Sequence, residues 1–341
     1  MAQQHLEPTD PTARAVTGDA LAGYLRAQAT EFLRALRQHR ETGTVAGAAV
    51  ESVDAARALR RSARRISGSL HTFRPLLDAD WSEEIRPELA WLSGTLGLEH
   101  AYEARLERLL LALHRLSGST SLPGQATSEG AADRGSLTVG AAKAGALLDR
   151  QLTLARTRAH STALQALGSS RFHAVADKVA VLASEVPLTA AAPTTDLRPP
   201  AAAAEERLTD AIAALPLVTA GHPYNAEALV HGLSPDPSPH PQDGPWHQVR
   251  LLLRLHRYAR EVLCGEGAPV DVRLLAAGQA LNRHRDASEA AAAAAAAART
   301  PRIAPATAYA LGVLHADQRH EVEAARFAFQ QAWQKQPLEA V

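Results

Sequence analysis

Cysteine and long apolar runs are nearly absent from this chain, and each absence narrows what it can be. The single cysteine among 341 residues, Cys264, excludes an intramolecular disulfide and a cysteine-based zinc cluster. The longest low-complexity run, the alanines at 290–298, is too short and too weakly apolar to cross a bilayer. The first residues also lack the charged-then-apolar pattern of a signal peptide. We therefore expect a cytoplasmic protein with no membrane partner.

Aromatic residues and lysine are scarce as well. Aromatics make up 4% of the chain and apolar residues 46%, with alanine abundant, and such small side chains suit closely packed helices better than a β-sandwich. Lysine occurs only at positions 143, 178 and 335, so nearly all the positive charge is arginine. Arginine suits bidentate recognition of phosphate, although GC-rich coding produces the same preference. The formal net charge is zero, and we do not expect specific nucleic-acid binding.

Motifs of catalysis and of cofactor binding are missing too. The chain has no Gly-x-Ser-x-Gly, no phosphate-binding Gly-x-x-x-x-Gly-Lys-Ser/Thr loop and no Gly-x-Gly-x-x-Gly. Its histidines lack metal-ligand spacing, since His315 and His320 are five residues apart and no His-Glu-x-x-His occurs. We therefore expect no enzyme activity, no cofactor and no metal site.

Two segments carry positive charge in a repeated pattern. Each contains three basic residues at positions i, i+3 and i+7, which at 3.6 residues per turn lie within about 60° of arc on one helix face. The opposite face is apolar in both segments. The two trios are Arg57, Arg60 and Arg64, and His247, Arg250 and Arg254. Each helix can therefore bury one side and present cations on the other.

This pattern has two interpretations. A solvated helix face whose arginines pair with nearby carboxylates has the same spacing, and acidic residues equal basic ones in number, 36 of each. The occurrence of the pattern once in each half of the chain favours instead a duplicated scaffold around an anion site.

Helical periodicity covers most of the chain, and the breaks suggest its organisation. We expect a flexible N-terminal tail at 1–17, a first helical half at 18–186, a linker with four prolines at 187–200 and a second helical half at 201–337.

Two interruptions are expected within the first half. Gly94 and Gly97 predict a break in the helix that otherwise covers 81–116. The polar stretch 118–136 predicts a loop, with helix resuming near Ala141.

At these residues the chain resembles a CHAD domain, the conserved histidine α-helical domain. The first motif of that family is His-x-x-Arg-Val-x-x-Arg-Arg-x-Arg, and Arg60, Arg64 and Arg65 match it. Arg57 stands at the position of the name-giving histidine, and Ser67 replaces the last arginine.

The second family motif, His-x-x-Arg-Lys-x-x-Lys-Arg-x-Arg-Tyr, lies in the other half. The residues that match it are His247, Arg250, Arg257 and Tyr258. Arg254 replaces a lysine, and Leu251 and Leu255 stand at basic positions. The resemblance covers roughly residues 18–336, so that 18–337 together form one CHAD-like domain.

The resemblance implies an all-α fold of two pseudo-symmetric four-helix-bundle-like halves. It also implies binding of inorganic polyphosphate, or a similar polyanion, on basic residues between or along them. The predicted anion-binding residues are Arg57, Arg60, Arg64, Arg65, His247, Arg250, Arg254 and Arg257. His247 would add charge below about pH 6.5 if its pKa is unperturbed.

The alternative function is a helical protein-interaction scaffold that has lost anion binding. A continuous positive groove would favour polyanion binding, and arginines neutralised by Asp or Glu would favour the scaffold. The sequence leaves the oligomeric state open, a homo-oligomer included.

Overall fold

The structure, a computed structural model, describes residues 16–42, 49–118, 130–221, 240–265 and 270–334. Within these ranges it is all-α, as predicted, and the only strand-like feature is an isolated antiparallel bridge between Leu77 and Leu188. None of the helices in the described ranges has both the length and the apolar character that crossing a membrane requires.

Nine long helices account for most of the described residues. In chain order they are α1 (Gly18–Thr42), α2 (Ala49–Thr72), α3 (Ala79–Leu116), α4 (Gly130–Leu167), α5 (Ser170–Ser184), α6 (Arg198–Ala213), α7 (Gly244–Cys264), α8 (Val272–Ala298) and α9 (Pro305–Gln334). A single helical turn, Leu217–Ala220, follows α6, and short 3₁₀ turns occur at Arg74–Leu76, Ala192–Thr194 and Pro241–Asp243.

Side-chain caps explain where several of these helices begin. The Asp78 carboxylate accepts a hydrogen bond from the Trp81 N–H at 2.8 Å at the start of α3. The Ser169 hydroxyl accepts one from the Phe172 N–H at 3.2 Å at the start of α5. Such caps satisfy backbone donors that have no partner within the first helical turn.

The expected break near Gly94 and Gly97 is absent, and α3 continues through both glycines. Gly97 has a packing role, because a Cβ built on it would lie 2.4 Å from Cζ of Arg60. The glycine makes room for a guanidinium from α2, which local sequence could not reveal.

Two other expected boundaries are shifted. The predicted loop at 118–136 is helical from Gly130 onward, where alanine and arginine are strong helix formers, while 119–129 lie outside the described residues. The predicted linker at 187–200 contains the start of α6, whose prolines at 199 and 200 occupy the first turn. Proline is tolerated there because the N–H that it lacks would be unpaired anyway.

Three hydrophobic cores hold the helices together. The first is built from α1, α2, the beginning of α3 and α5, and it also takes in Ala259 and Val262 near the end of α7. The second joins the ends of α3 and α8 to the first halves of α4 and α9. The third packs Trp246 of α7 and Leu281 of α8 against Phe329 of α9.

The cores do not follow the expected division of the chain. The second core joins Leu109 and Leu148 to Ala294 and Leu311, which lie on opposite sides of the 187–200 segment. The proposed two halves stay a prediction. What the cores fix is the relative position of α2, α3, α7 and α8, which form the site described next.

Candidate anion-binding site

The two basic helices, α2 and α7, meet at a glycine. A Cβ built on Gly68 would lie 2.6 Å from Cδ2 of Tyr258 and 3.3 Å from Cδ2 of Leu255. Since close-packed interiors leave no room for an extra methyl group at such distances, a larger residue at 68 would force the helices or the ring to shift. This close approach turns the basic faces of both helices toward one groove.

Helix α3 forms one wall of the groove and orients two arginines of α2. The Nε–H of Arg60 donates to the Ser93 carbonyl at 3.1 Å, and the Nε–H of Arg64 donates to the Ser93 hydroxyl at 3.0 Å. Within the described residues, the terminal amino groups of both guanidiniums have no hydrogen-bond partner. Ser93 thus fixes Nε of each arginine, and the two terminal amino groups of each guanidinium remain available for another contact.

Helix α8 forms the opposite wall, beside α7. Asn282 accepts a hydrogen bond from NH1 of Arg250 at 3.3 Å. Arg285, one turn further along α8, acts electrostatically on Arg60, Arg250 and Arg254. Arginines of α2, α7 and α8 therefore lie close enough together to repel one another.

Four of these arginines lack a counter-charge, and we refer to Arg60, Arg64, Arg250 and Arg254 as the arginine cluster. Among the described residues, no carboxylate lies within 4.0 Å of any of them. Burial first, and neighbouring arginines second, lower the pKa of Arg64 to about 9 and that of Arg250 to about 10. The pKa values of the other two fall for the same reasons.

Uncompensated cations that repel one another are a feature of anion sites, because a bound anion relieves both the burial cost and the repulsion. All four arginines stay charged at neutral pH, because arginine is not deprotonated in proteins, and even the pKa of Arg64, at about 9, is well above 7. The arginine cluster therefore has the electrostatic features of a candidate anion site.

An open cavity of about 540 Å³ leads to the α2 side of the cluster. It is lined by Asp54, Arg57, Arg60, Arg61, Arg64, His100 and Tyr258. Arg61 was not among the predicted binding residues, because it stands at the valine position of the first family motif. Four of the seven lining residues are arginines and one is an aspartate, so the cavity is predominantly positive.

Three of the eight predicted anion-binding residues have carboxylate partners instead. Arg65 donates to Glu261 through Nε at 2.8 Å and NH2 at 3.2 Å, and Arg257 lies 4.0 Å from the same carboxylate. Arg57 lies 3.2 Å from Asp54. Their part in anion binding stays a prediction, but Asp54 compensates Arg57, and Arg65 and Arg257 share the single charge of Glu261.

The eighth predicted residue, His247, faces the groove from the start of α7. Its ring lies edge-on to that of His284, with the centroids 5.5 Å apart, and its buried Nε2 has no hydrogen-bond partner among the described residues. Burial lowers the pKa of His247 below 6.5; Asp243 opposes this shift, and Arg250 adds to it. The premise of an unperturbed pKa is therefore wrong, and this ring is neutral at physiological pH.

A buried polar network, not foreseen from the sequence, fixes the start of α7. The Asp243 carboxylate is fully buried and accepts hydrogen bonds from NH1 of Arg319 and NH2 of Arg326, each at 2.7 Å. His284 Nε2 lies 3.6 Å from the same carboxylate. The only signal in the sequence was the seven-residue spacing of the two arginines, which places them on one face of α9.

The same kind of signal could have revealed Arg285. Asn282, Arg285 and Glu289 lie at i, i+3 and i+7 and therefore share one face of α8. This face was overlooked because only one of its three residues is basic. Among the described residues, no group of three or more His, Cys, Asp or Glu side chains could hold a metal ion.

The fold and the groove define an all-helical protein with a half-buried set of unpaired arginines. A family model for the CHAD domain matches residues 27–273, which include both basic helices and most of the chain. The protein belongs to the CHAD-domain family.

A solved structure agrees with this membership. PptA from Streptomyces chartreusis is 76% identical to this chain, with a TM-score of 0.79, and the match covers 94% of this chain and 99% of that one. A comparison with curated proteins finds no match.

Proposed function

We propose that the protein is a non-enzymatic, cytoplasmic module that binds inorganic polyphosphate, or a polyanion of the same chemistry, in the groove between α2, α3, α7 and α8. The observation that carries the proposal is the arginine cluster, four half-buried cations without a carboxylate partner in the described residues. Membership of the CHAD-domain family supports it, since the resemblance of both basic motifs implies polyphosphate binding.

The mechanism is multivalent. Arg60 and Arg64 are anchored through Nε, so their terminal N–H groups can form charge-assisted hydrogen bonds to successive phosphates. Arg250 and Arg254 contact the chain from the α7 side. Since the phosphates of a polymer are linked, each contact raises the effective concentration of the next phosphate, and several weak contacts add up.

The alternative, an interaction scaffold that has lost its ligand, is favoured by one observation. Arg57 pairs with Asp54, and Arg65 and Arg257 share Glu261, as arginines on a solvated structural surface do. The arginine cluster argues against it, because repelling half-buried cations reduce stability and serve no purpose in a scaffold. Of the seven predicted arginines, the four of the arginine cluster are thus the ones that lack a carboxylate partner among the described residues.

The proposal is tested by titrating the folded wild-type protein with long-chain polyphosphate and with orthophosphate at increasing salt. We expect the polymer to bind far more tightly, with log affinity falling linearly against log salt because counterions are released. Orthophosphate can engage one or two arginines at most and should bind weakly. Failure of the polymer to bind at low salt would contradict the proposal and favour the scaffold.

A further inference from the structure

The arginine cluster is bordered on two sides by a glutamate that two arginines share. On the α8 side, Glu289 accepts a hydrogen bond from NH2 of Arg105 at 2.5 Å and lies 3.9 Å from Nε of Arg285. Arg285 itself donates to its neighbour Asp286 through Nε at 2.9 Å, so Glu289 is its more distant carboxylate. On the other side, Glu261 plays the same role between Arg65 and Arg257. Each glutamate thus places a negative charge at one edge of the arginine cluster.

The two glutamates are not held equally firmly. Glu261 also accepts a hydrogen bond from the Tyr24 hydroxyl at 2.8 Å and two from Arg65, so it is part of the packing between α1, α2 and α7. The partners of Glu289 in the described residues are arginines alone, and its side chain is 38% exposed. Glu289 is therefore the carboxylate that can be removed without disturbing a core.

Glu289 is close enough to the cluster to influence it. Its face of α8 also carries Asn282, which contacts Arg250 of the cluster at 3.3 Å. Burial and neighbouring arginines lower the pKa values of Arg60 and Arg250 overall, and Glu289 acts on both in the opposite direction. Glu289 thus partly compensates the positive charge of the cluster without forming an ion pair with any of its four arginines.

We propose that Glu289 is an internal competitor of the polyanion: it ends the groove at α8 by holding Arg105, and it thereby limits both the affinity and the number of phosphates engaged. This inference rests on the proposed function. Without Glu289, Arg105 of α3 becomes a further phosphate contact that extends the arginine cluster, while Arg285 keeps its partner Asp286. Glu289 thus determines how much of a long chain the protein can hold.

Glu289→Gln tests this with the same shape and one charge less. We expect long-chain polyphosphate to bind about three- to tenfold more tightly at low salt, in line with the small worth of a partly exposed ion pair. The salt slope should steepen by on the order of 0.7 for each further cation engaged, the value for single-stranded nucleic acids. Tripolyphosphate, which the arginine cluster alone can accommodate, should gain less than the long chain.

A matched control separates this effect from a general change in net charge. Glu321 is 44% exposed and also lies near arginines of α3, at 3.6 Å from Arg108 and 3.9 Å from Arg115. It is not among the charges that shift the pKa values of the four cluster arginines. Glu321→Gln should leave polyphosphate affinity within about twofold of wild type.

Arg105→Gln, combined with Glu289→Gln, shows whether the groove has been extended. It should abolish most of the gain, while Arg105→Gln alone should change affinity little because Glu289 already occupies that arginine. If Glu289→Gln binds no better than Glu321→Gln, or keeps its gain without Arg105, the inference is wrong while the proposed function stands. If the wild type itself does not bind, both are wrong.

Discussion

Two groups of arginines face inward in this protein, and they differ in what balances their charge. Arg319 and Arg326 of α9 both donate to Asp243, whose carboxylate is fully buried between them. The arginine cluster in the groove has no carboxylate within 4.0 Å among the described residues. The first group connects α7 to α8 and α9, and the second is left to be neutralised from outside. The same residue type thus holds the fold together in one region and can bind a ligand in the other.

The largest effect is expected from removing the buried Asp243 carboxylate, to which Arg319 and Arg326 both donate. Asp243→Asn leaves Arg319 and the neighbouring His284 without their buried counter-charge, and leaves Arg326 with Glu323 alone. Because breaking a buried ion pair from one side leaves an uncompensated charge, the free energy of unfolding should fall by about 3–5 kcal/mol. Urea denaturation followed by circular dichroism measures the change.

The matched control is the surface pair of Arg115 and Asp317, where the arginine is 58% exposed. Arg115→Gln should cost only about 0–1 kcal/mol. A loss for Asp243→Asn that is no larger than this would show that the buried network is not what holds α7 in place.

The comparison also predicts which region responds to pH. Burial, followed by the charge of Arg326 and opposed by Asp243, lowers the pKa of His284 to about 4, whereas the same group titrates near 6.5 in the unfolded chain. Between pH 6.5 and about 4 the unfolded chain binds a proton that the folded protein does not, so stability is lost as the pH falls. At about 1.4 kcal/mol for each pKa unit, His284 alone accounts for about 3 kcal/mol.

Denaturation of the wild type and of His284→Gln at pH 7 and pH 4.5 checks this assignment. The wild type should lose clearly more stability than the variant on acidification. The arginine cluster stays charged over this interval, so it contributes nothing to the difference. Equal losses in both proteins would assign the pH response to other groups.

The contact between α2 and α7 gives a smaller, more local test. Gly68→Ala places a methyl group 2.6 Å from the Tyr258 ring, which should cost about 1–3 kcal/mol through overpacking and should weaken polyphosphate binding because the two basic faces move apart. Gly94→Ala in α3 is the control, since a Cβ there meets nothing within 4 Å. It should stabilise the helix by about 0.5–1 kcal/mol.

Equal effects of the two alanine substitutions on binding would show that the spacing between α2 and α7 does not matter for the groove. Thermal unfolding measures the stability of both variants, and a polyphosphate titration measures their affinity.

Much of the fold was predictable because helices are local. Helical periodicity predicted an all-α fold, and the described residues confirm it. Gly97 was misread as a helix breaker because its reason, the Arg60 guanidinium above it, comes from another helix. A contact between distant segments leaves no trace in the local pattern.

The candidate site, like the fold, depends partly on contacts between distant segments, which the local sequence pattern does not reveal. Residue spacing identified all four members of the arginine cluster, since a helix face is a local property. It could not show that Arg65 is paired, because Glu261 lies 196 residues further along the chain. Nor could it show that Asp243 connects three helices. Which arginines are balanced, and by what, is a tertiary property, and it decides the difference between the two groups.

The most direct test of the central claim is a polyphosphate salt titration of the double variant Arg60→Gln/Arg250→Gln. The matched control is Arg26→Gln/Arg37→Gln, which removes the same charge from exposed positions of α1. We predict that the cluster variant keeps wild-type helicity and stability, loses at least about tenfold in affinity at low salt, and has a salt slope flatter by on the order of one unit or more. The control should retain wild-type binding. Equal binding by the cluster variant, the control and the wild type would contradict the claim that the unbalanced arginines form the polyanion site.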